Sequence, residues 1–402
     1  MMKILYFGTV CGLNTYEKML SKCKQKPTVA TIVFDSALLT GFRQHGLEAD
    51  ILSCPMIPVF PRCSHIAWGN KKEQLPCGYD VTWVKTVNLP FVKQWSRSLD
   101  VKVKINRWIK SNKWQDCAVL VYGINAFVSP VVVEQCKKAG VKCYAVVPDL
   151  PEHMYINSHS RGIEKWAEER FIKKAVDVQS RFDGYVYLTE AMKDVISPKK
   201  PFVIVEGIAD TSLAKFYDAR NRSAARGIMY AGGLQRKFGI IHLLDAFEEA
   251  DIDNAELWLF GEGDAVEDIT ARSLKNPSIR YFGRVSRDKV LEYEHQAVLL
   301  VNVRSVSEDF TKYSFPSKTI EYMLSGTPLL STRLQGIPEE YFDYMYSTDD
   351  NDVSSLSNKL KEIMNLPAET LAEKGTEAQK FVVENKGSVA QTQKIIDGLN
   401  LK

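Results

Sequence analysis

Short apolar runs recur along the chain, separated by longer stretches in which apolar and polar residues mix at helical spacing, the pattern of buried strands alternating with helices. In the first half, residues 3–7, 49–53, 119–122, 142–147 and 184–188 read as strands, with helices predicted at 30–45, 129–139 and 161–181. The second half repeats the plan. Strands are predicted at 228–230, 256–260, 279–282, 298–303 and 328–331, and from residue 352 onward the chain reads as helices. Such alternation predicts parallel sheets covered on both faces. A chain of 402 residues exceeds one ordinary core, so an α/β protein of two doubly wound, Rossmann-like domains is expected. The boundaries fall at 1–205 and 206–385, with a hinge within 204–210 and a last helix in 386–402.

Composition is that of a globular protein, with 45% hydrophobic and 25% charged residues. The net charge of +3 conceals an asymmetry. Residues 1–200 hold 29 Lys and Arg against 18 Asp and Glu, a balance of +11, whereas residues 201–402 hold 23 against 31, a balance of −8. The basic half suits a phosphate-bearing acceptor, an anionic membrane surface or nucleic acid, and charge alone does not choose among them. All eight cysteines lie in the first half without zinc-type spacing, which predicts reduced, mostly buried thiols. A strand-like segment follows Lys3 at once and no apolar run approaches bilayer length, so a cytoplasmic location is expected.

The segment 315–330, FPSKTIEYMLSGTPLL, carries the densest chemistry. Pro316 suits the first turn of a helix, whose unpaired amides attract phosphate. Glu321 lies a turn further on, where a carboxylate would accept hydrogen bonds from two ribose hydroxyls. Gly326 ends the helix, and a buried strand follows, setting the site at the carboxyl edge of a parallel sheet. By contrast, the turn from Gly8 to Gly12 lacks the third glycine and the acidic partner of a dinucleotide fingerprint, so bound NAD is not expected.

The FPSK and EYM motifs resemble the donor-binding segment of glycosyltransferase family 4, a retaining family of GT-B fold, and in particular a bacterial branch of it. YAGGLQRKFG at 230–239, LWLFGEGD at 257–264 and IRYFGRVSRDKV at 279–290 are similar to that family's strand and turn units in the same order. VVPDLPEHM at 146–154 and VYLTEAM at 186–192 match it more loosely. The resemblance implies two domains facing each other across a cleft, a terminal helix crossing back onto the first, and a nucleotide-diphosphate sugar, UDP- or GDP-linked, as donor.

On that basis Gly233, Arg284, Val285, Ser314, Phe315, Pro316, Ser317, Lys318 and Glu321 are expected to hold the donor. Arg236 and Lys237 are expected to neutralise the departing diphosphate without a metal, because the family's usual Arg and Lys positions carry Gly233 and Phe238 here. The family's first glutamate is replaced by Tyr313, so Tyr313, Ser314, Glu308 and Asp309 become candidates for the donor sugar. In the first half, Asp149 at a strand end is a candidate catalytic group, with Gly12, Glu152 and His153 beside the acceptor. The run 97–114, with Lys102, Lys104, Arg107, Lys110 and Lys113 among Trp108, Ile109 and Trp114, reads as an amphipathic helix for an anionic membrane surface or as an ordinary solvated helix. No nucleic-acid motif accompanies it.

These readings converge on a retaining, metal-independent glycosyltransferase acting on a hydroxyl of a bacterial surface glycan, with a lipid-linked acceptor, no cofactor and no nucleic-acid partner. Two rivals remain: a sugar-nucleotide epimerase of the same fold, and a non-enzymatic two-domain sugar-binding protein.

Overall fold

The computed structural model describes residues 2–24, 30–69, 71–153, 162–217, 226–306 and 308–402. Met154, the end of the VVPDLPEHM segment, and Arg161, where a helix is expected to begin, lie outside the described residues. The chain divides into two compact units, Met1–Ile208 with Ser388–Lys402, and Ala209–Gly387.

The first unit contains β1 (Lys3–Gly8), β2 (Glu48–Ser53), β3 (Ala67–Trp68), β4 (Lys72–Gln74), β5 (Asp80–Trp83), β6 (Thr86–Val87), β7 (Cys117–Tyr122), β8 (Lys142–Val147), β9 (Gly184–Tyr187) and β10 (Phe202–Ile204). Eight of these form one sheet in the order β10-β9-β8-β7-β1-β2-β5-β4, parallel except for the edge strand β4, while β3 and β6 pair separately. The strands that the apolar pattern missed are short or polar: β4 is Lys-Glu-Gln at a sheet edge, where nothing requires apolar side chains. The helix Ser388–Gly398 belongs to this unit. It lies so close to the helix Ala30–Gln44 that a Cβ on Gly41 would stand 2.3 Å from the Ser388 carbonyl. Ile395 and Ile396 are buried in the first unit's core, and Gln391 donates to the Gly207 carbonyl at 2.8 Å.

The second unit contains β11 (Arg226–Gly233), β12 (Ala255–Glu262), β13 (Ile279–Gly283), β14 (Leu299–Asn302), β15 (Leu329–Thr332) and β16 (Tyr346–Thr348). They run parallel in the order β13-β12-β11-β14-β15-β16. The chain builds outward from β11 to one edge, then returns to the other side with β14, so β11 and β14 flank the topological switch point of a doubly wound sheet. Their pairing is brief. Only Ile228 with Leu299 and Met229 with Leu300 are in register, whereas β11 stays paired with β12 through Gly233. Beyond Met229 the two central strands therefore part and open a crevice at the carboxyl edge.

Candidate active site at the switch point of the second unit

Parting strands leave backbone groups without ladder partners, and buried ones must be satisfied elsewhere. Tyr322, fully buried on the helix Ser317–Leu324, does this for Ala231. Its hydroxyl accepts from the Ala231 N–H at 2.8 Å and donates to the Ala231 carbonyl at 3.0 Å. One phenol, both donor and acceptor, thus wedges the crevice and ties the EYM helix to β11. The tyrosine of that motif is a structural keystone, a role invisible in the sequence.

The turn after β11 is shaped by Gly239. Its φ of +80° favours glycine, and a Cβ there would stand 2.1 Å from the Val303 carbonyl. This close approach brings Phe238 against the residue that follows Val303. The Arg304 guanidinium carbon lies 4.7 Å from the Phe238 ring centroid. Arg304 Nε is shut off from water without a hydrogen-bond partner, and burial pushes the group below the usual arginine pKa. Tyr230 and Tyr322 are the titratable neighbours that act on it; no carboxylate does so. Sequence reasoning missed this residue, although an arginine directly after the apolar run LLVNV was a visible signal.

The expected Arg236 and Lys237 pair is split. Arg236 donates its backbone N–H to Asp264 at 2.7 Å and its guanidinium is closed on Asp268. Lys237 stands over the rings of Phe238 and Phe310, at 5.5 and 5.6 Å. Arg236 thus carries its own counter-ion at an exposed position, which the sequence did not reveal.

Pro316 also departs from expectation. With ψ 103° it is extended and serves as the N-cap, one residue before the first turn of Ser317–Leu324, and no side chain caps that turn. Lys318 in the first turn lies 2.5 Å from Glu321 and 3.8 Å from Glu294. Burial works against the Lys318 charge, and Glu321 and Glu294 more than restore it, so its pKa is raised. Burial likewise pushes Glu321 up, but Lys318 and a hydrogen bond with Glu294 outweigh it and hold the carboxyl below the ordinary range. Two hydrogen-bonded carboxyls must share a proton between them. Glu321 is therefore already engaged rather than a bare acceptor. Glu294, with no exposed side chain, came from the polar helix Arg287–Gln296, where no pattern singled it out.

Of the other expected donor residues, Gly233 ends β11 against the Phe238 ring, with a Cβ position 3.1 Å from it. Phe315 is a correction: it is buried against the Tyr341 ring at 5.4 Å, a core side chain. Ser317 is exposed and Ser314 half-buried. Arg284 and Val285 follow β13, and Arg284 reaches Glu262 at 3.7 Å. Tyr313 is half-buried beneath Lys312, which lies 5.1 Å from its ring centroid; Lys312 also pairs with Asp309. The acidic run at 349–352 serves a helix end, since Asp352 accepts from the Ser355 N–H and caps Val353–Met364.

In the first unit the equivalent edge is filled by the protein's own acids. Asp35 is buried and accepts from Tyr6 at 2.5 Å and from the Thr9 N–H and hydroxyl at 2.6 and 2.9 Å. Burial raises its pKa to about 6 despite those bonds. Glu73 takes the Gly12 N–H at 2.9 Å together with Thr15 and Trp83. Gly12 thus has no amide left for an acceptor, correcting its assignment. Asp149 follows β8. Crowding by protein atoms pushes its carboxyl up to about 6, although the residue stays exposed to solvent. Glu152 is exposed and His153 half-buried in the turn Pro151–His153. Among the described residues no group of three or more His, Cys, Asp or Glu side chains is placed to hold a metal ion.

Residues 225–365, about four fifths of the second unit, match the family model described as glycosyl transferases group 1. No curated protein matches the chain. Among solved structures, the lipopolysaccharide outer core galactosyltransferase WaaB is similar at 12% identity over 99% of both chains, with a TM-score of 0.60. A sucrose-phosphate synthase from Thermosynechococcus elongatus is similar at 14% identity over 100% of this chain and 98% of its own, with a TM-score of 0.64. Anabaena HepE in complex with UDP is similar at 12% identity over 100% of both chains, with a TM-score of 0.61. At these identities the likeness is one of fold. The chain thus has GT-B architecture, and the segment 225–365 matches the glycosyl transferases group 1 model.

Replacing Tyr322 by Phe should cost about 1–3 kcal/mol, because the buried Ala231 amide and carbonyl lose their shared partner. Chemical denaturation measures this, and an unchanged midpoint would remove Tyr322 from the wedge.

Proposed function

We propose that the protein transfers a sugar with retention from a nucleotide-diphosphate donor to a hydroxyl of a bacterial surface glycan. The observation that carries the reading is the crevice between β11 and β14, bordered by Arg304 and by the uncapped helix of the FPSK segment. Cations and amide dipoles there suit the charge that develops on a departing diphosphate. That HepE binds UDP on the same fold supports a nucleotide donor. In this reading the bond from the anomeric carbon to the phosphate oxygen breaks as the acceptor oxygen bonds on the same face, and the acceptor proton passes to the departing phosphate. Basic side chains take the place of a divalent metal, and Asp149 orients the acceptor hydroxyl or the sugar. Glu321, kept ionised by Lys318 and seated by Glu294, is assigned to the ribose.

The acceptor is proposed to be lipid-linked. The helix Val92–Ser111 presents Trp95, Leu99 and Val103 on its solvent face, with Phe91, 87% exposed, at its start. Lys102, Arg107 and Lys110 continue that exposed face toward the other end. An apolar stripe running into a basic one fits insertion at an anionic interface. Arg97 and Lys104 do not belong to it: Arg97 is buried, donating to Thr86 and Pro55, and Lys104 is paired with Asp100. Among the described residues, no helix is long and apolar enough to cross a membrane.

Two measurements test these assignments. Glu321→Gln should weaken a nucleoside diphosphate by about tenfold in calorimetry yet leave inorganic pyrophosphate nearly unaffected. Equal losses contradict the ribose role, and transfer that vanishes with chelator and returns with magnesium contradicts metal independence. In the second, the protein should sediment with phosphatidylserine-containing vesicles, and Trp95→Ser with Lys102→Gln and Arg107→Gln should release it. Undiminished sedimentation would leave that face an ordinary solvated surface.

A further inference from the structure

Taking a guanidinium out of water is costly unless an anion meets it, and proteins therefore pair buried arginines. Several cations of the second unit do have an acid partner. Arg236 has Asp268, Arg272 has Asp245 and Glu248, Arg280 has Glu256, and Lys318 has Glu321 and Glu294. Arg304 departs from this. Its Nε is buried without a partner, its flat face rests on Phe238, and no acid neighbours it.

Its position is equally particular. Arg304 lies two residues past the end of β14, on the side of the crevice opposite Gly233, where the two central strands have parted. Tyr230 feels both Arg304 and Lys318, so the two cations converge on one end of β11. The anion that Arg304 lacks is absent from the described residues but fits a ligand entering between β11 and β14.

We propose that Arg304 is the principal diphosphate-binding cation of the donor site, the role that the sequence suggested for Arg236 and Lys237. Its planar fork, packed against Phe238, would take two oxygens of a nucleoside diphosphate at once. Lys318, kept charged by Glu321 and Glu294, adds a second positive charge from the helix side. The assignment rests on the donor-site reading above and adds to it which residue discriminates a diphosphate from a bare nucleoside.

Calorimetry on the full chain with UDP, GDP, uridine and guanosine, joined to thermal denaturation of the ligand-free protein, tests this. Arg304→Met should weaken the diphosphate that the parent binds by at least about tenfold and leave its nucleoside unchanged. The ligand-free variant should melt at the same temperature or higher, because Met removes an unmet charge from a half-buried position whose Nε is shut off from water. Arg304→Lys should retain part of the preference for diphosphate. A parent that binds UDP or GDP while Arg304→Met binds it equally well overturns the assignment and leaves the donor site standing. A melting temperature several degrees lower in Arg304→Met makes the residue structural and overturns it as well. If the parent binds neither diphosphate, the donor-site reading falls and the assignment with it.

Discussion

The second unit depends on a single break in hydrogen bonding. Strands β11 and β14 remain paired for two residues and then separate, and everything at the carboxyl edge answers that separation. Tyr322 satisfies the backbone left open at Ala231, Gly239 lets the following turn close on Val303, and Arg304 and Lys318 border the gap. A sheet with this strand order has one crevice at its switch point, so chemistry that requires a concave, amide-rich and cationic site is directed there by topology.

The two units use the same architecture in opposite electrical senses. In the first, the turn after β1 is closed from within: Asp35 takes the Thr9 amide and Glu73 takes the Gly12 amide. An anionic ligand would have to displace bonded carboxylates. In the second unit the corresponding edge carries positive charge, part of it without a counter-ion. A doubly wound sheet offers an anion site twice in this chain, and side-chain carboxylates fill one of the two. Local pairing, rather than net charge, decides what a site can bind, and the half with the larger excess of Lys and Arg has its β1 turn closed by carboxylates.

Much of the plan was legible in the sequence. Apolar runs located the long strands of both sheets to within a few residues, since buried parallel strands need continuous apolar side chains. The β4 strand escaped because an edge strand can be polar, and β3 and β6 because two residues carry no period. The FPSK segment was read as opening a helix, and Ser317–Leu324 is one, but the packing of its parts required three dimensions. Phe315 belongs to the core, Pro316 precedes the helix, and Tyr322 bonds a residue 91 positions away. Glu294 and Arg304 depend on side chains brought together from separate elements, and the ion pair of Arg236 was not legible because Asp268 is distant in sequence and adjacent in space.

The account's central claim concerns where a diphosphate sits, and a crystal structure with bound UDP or GDP measures it most directly. The account predicts the diphosphate between β11 and β14, its oxygens within hydrogen-bond reach of the Arg304 guanidinium and facing the first turn of Ser317–Leu324. A diphosphate held at the Thr9 turn of the first unit, or by Arg236 with Arg304 left unengaged, would contradict it.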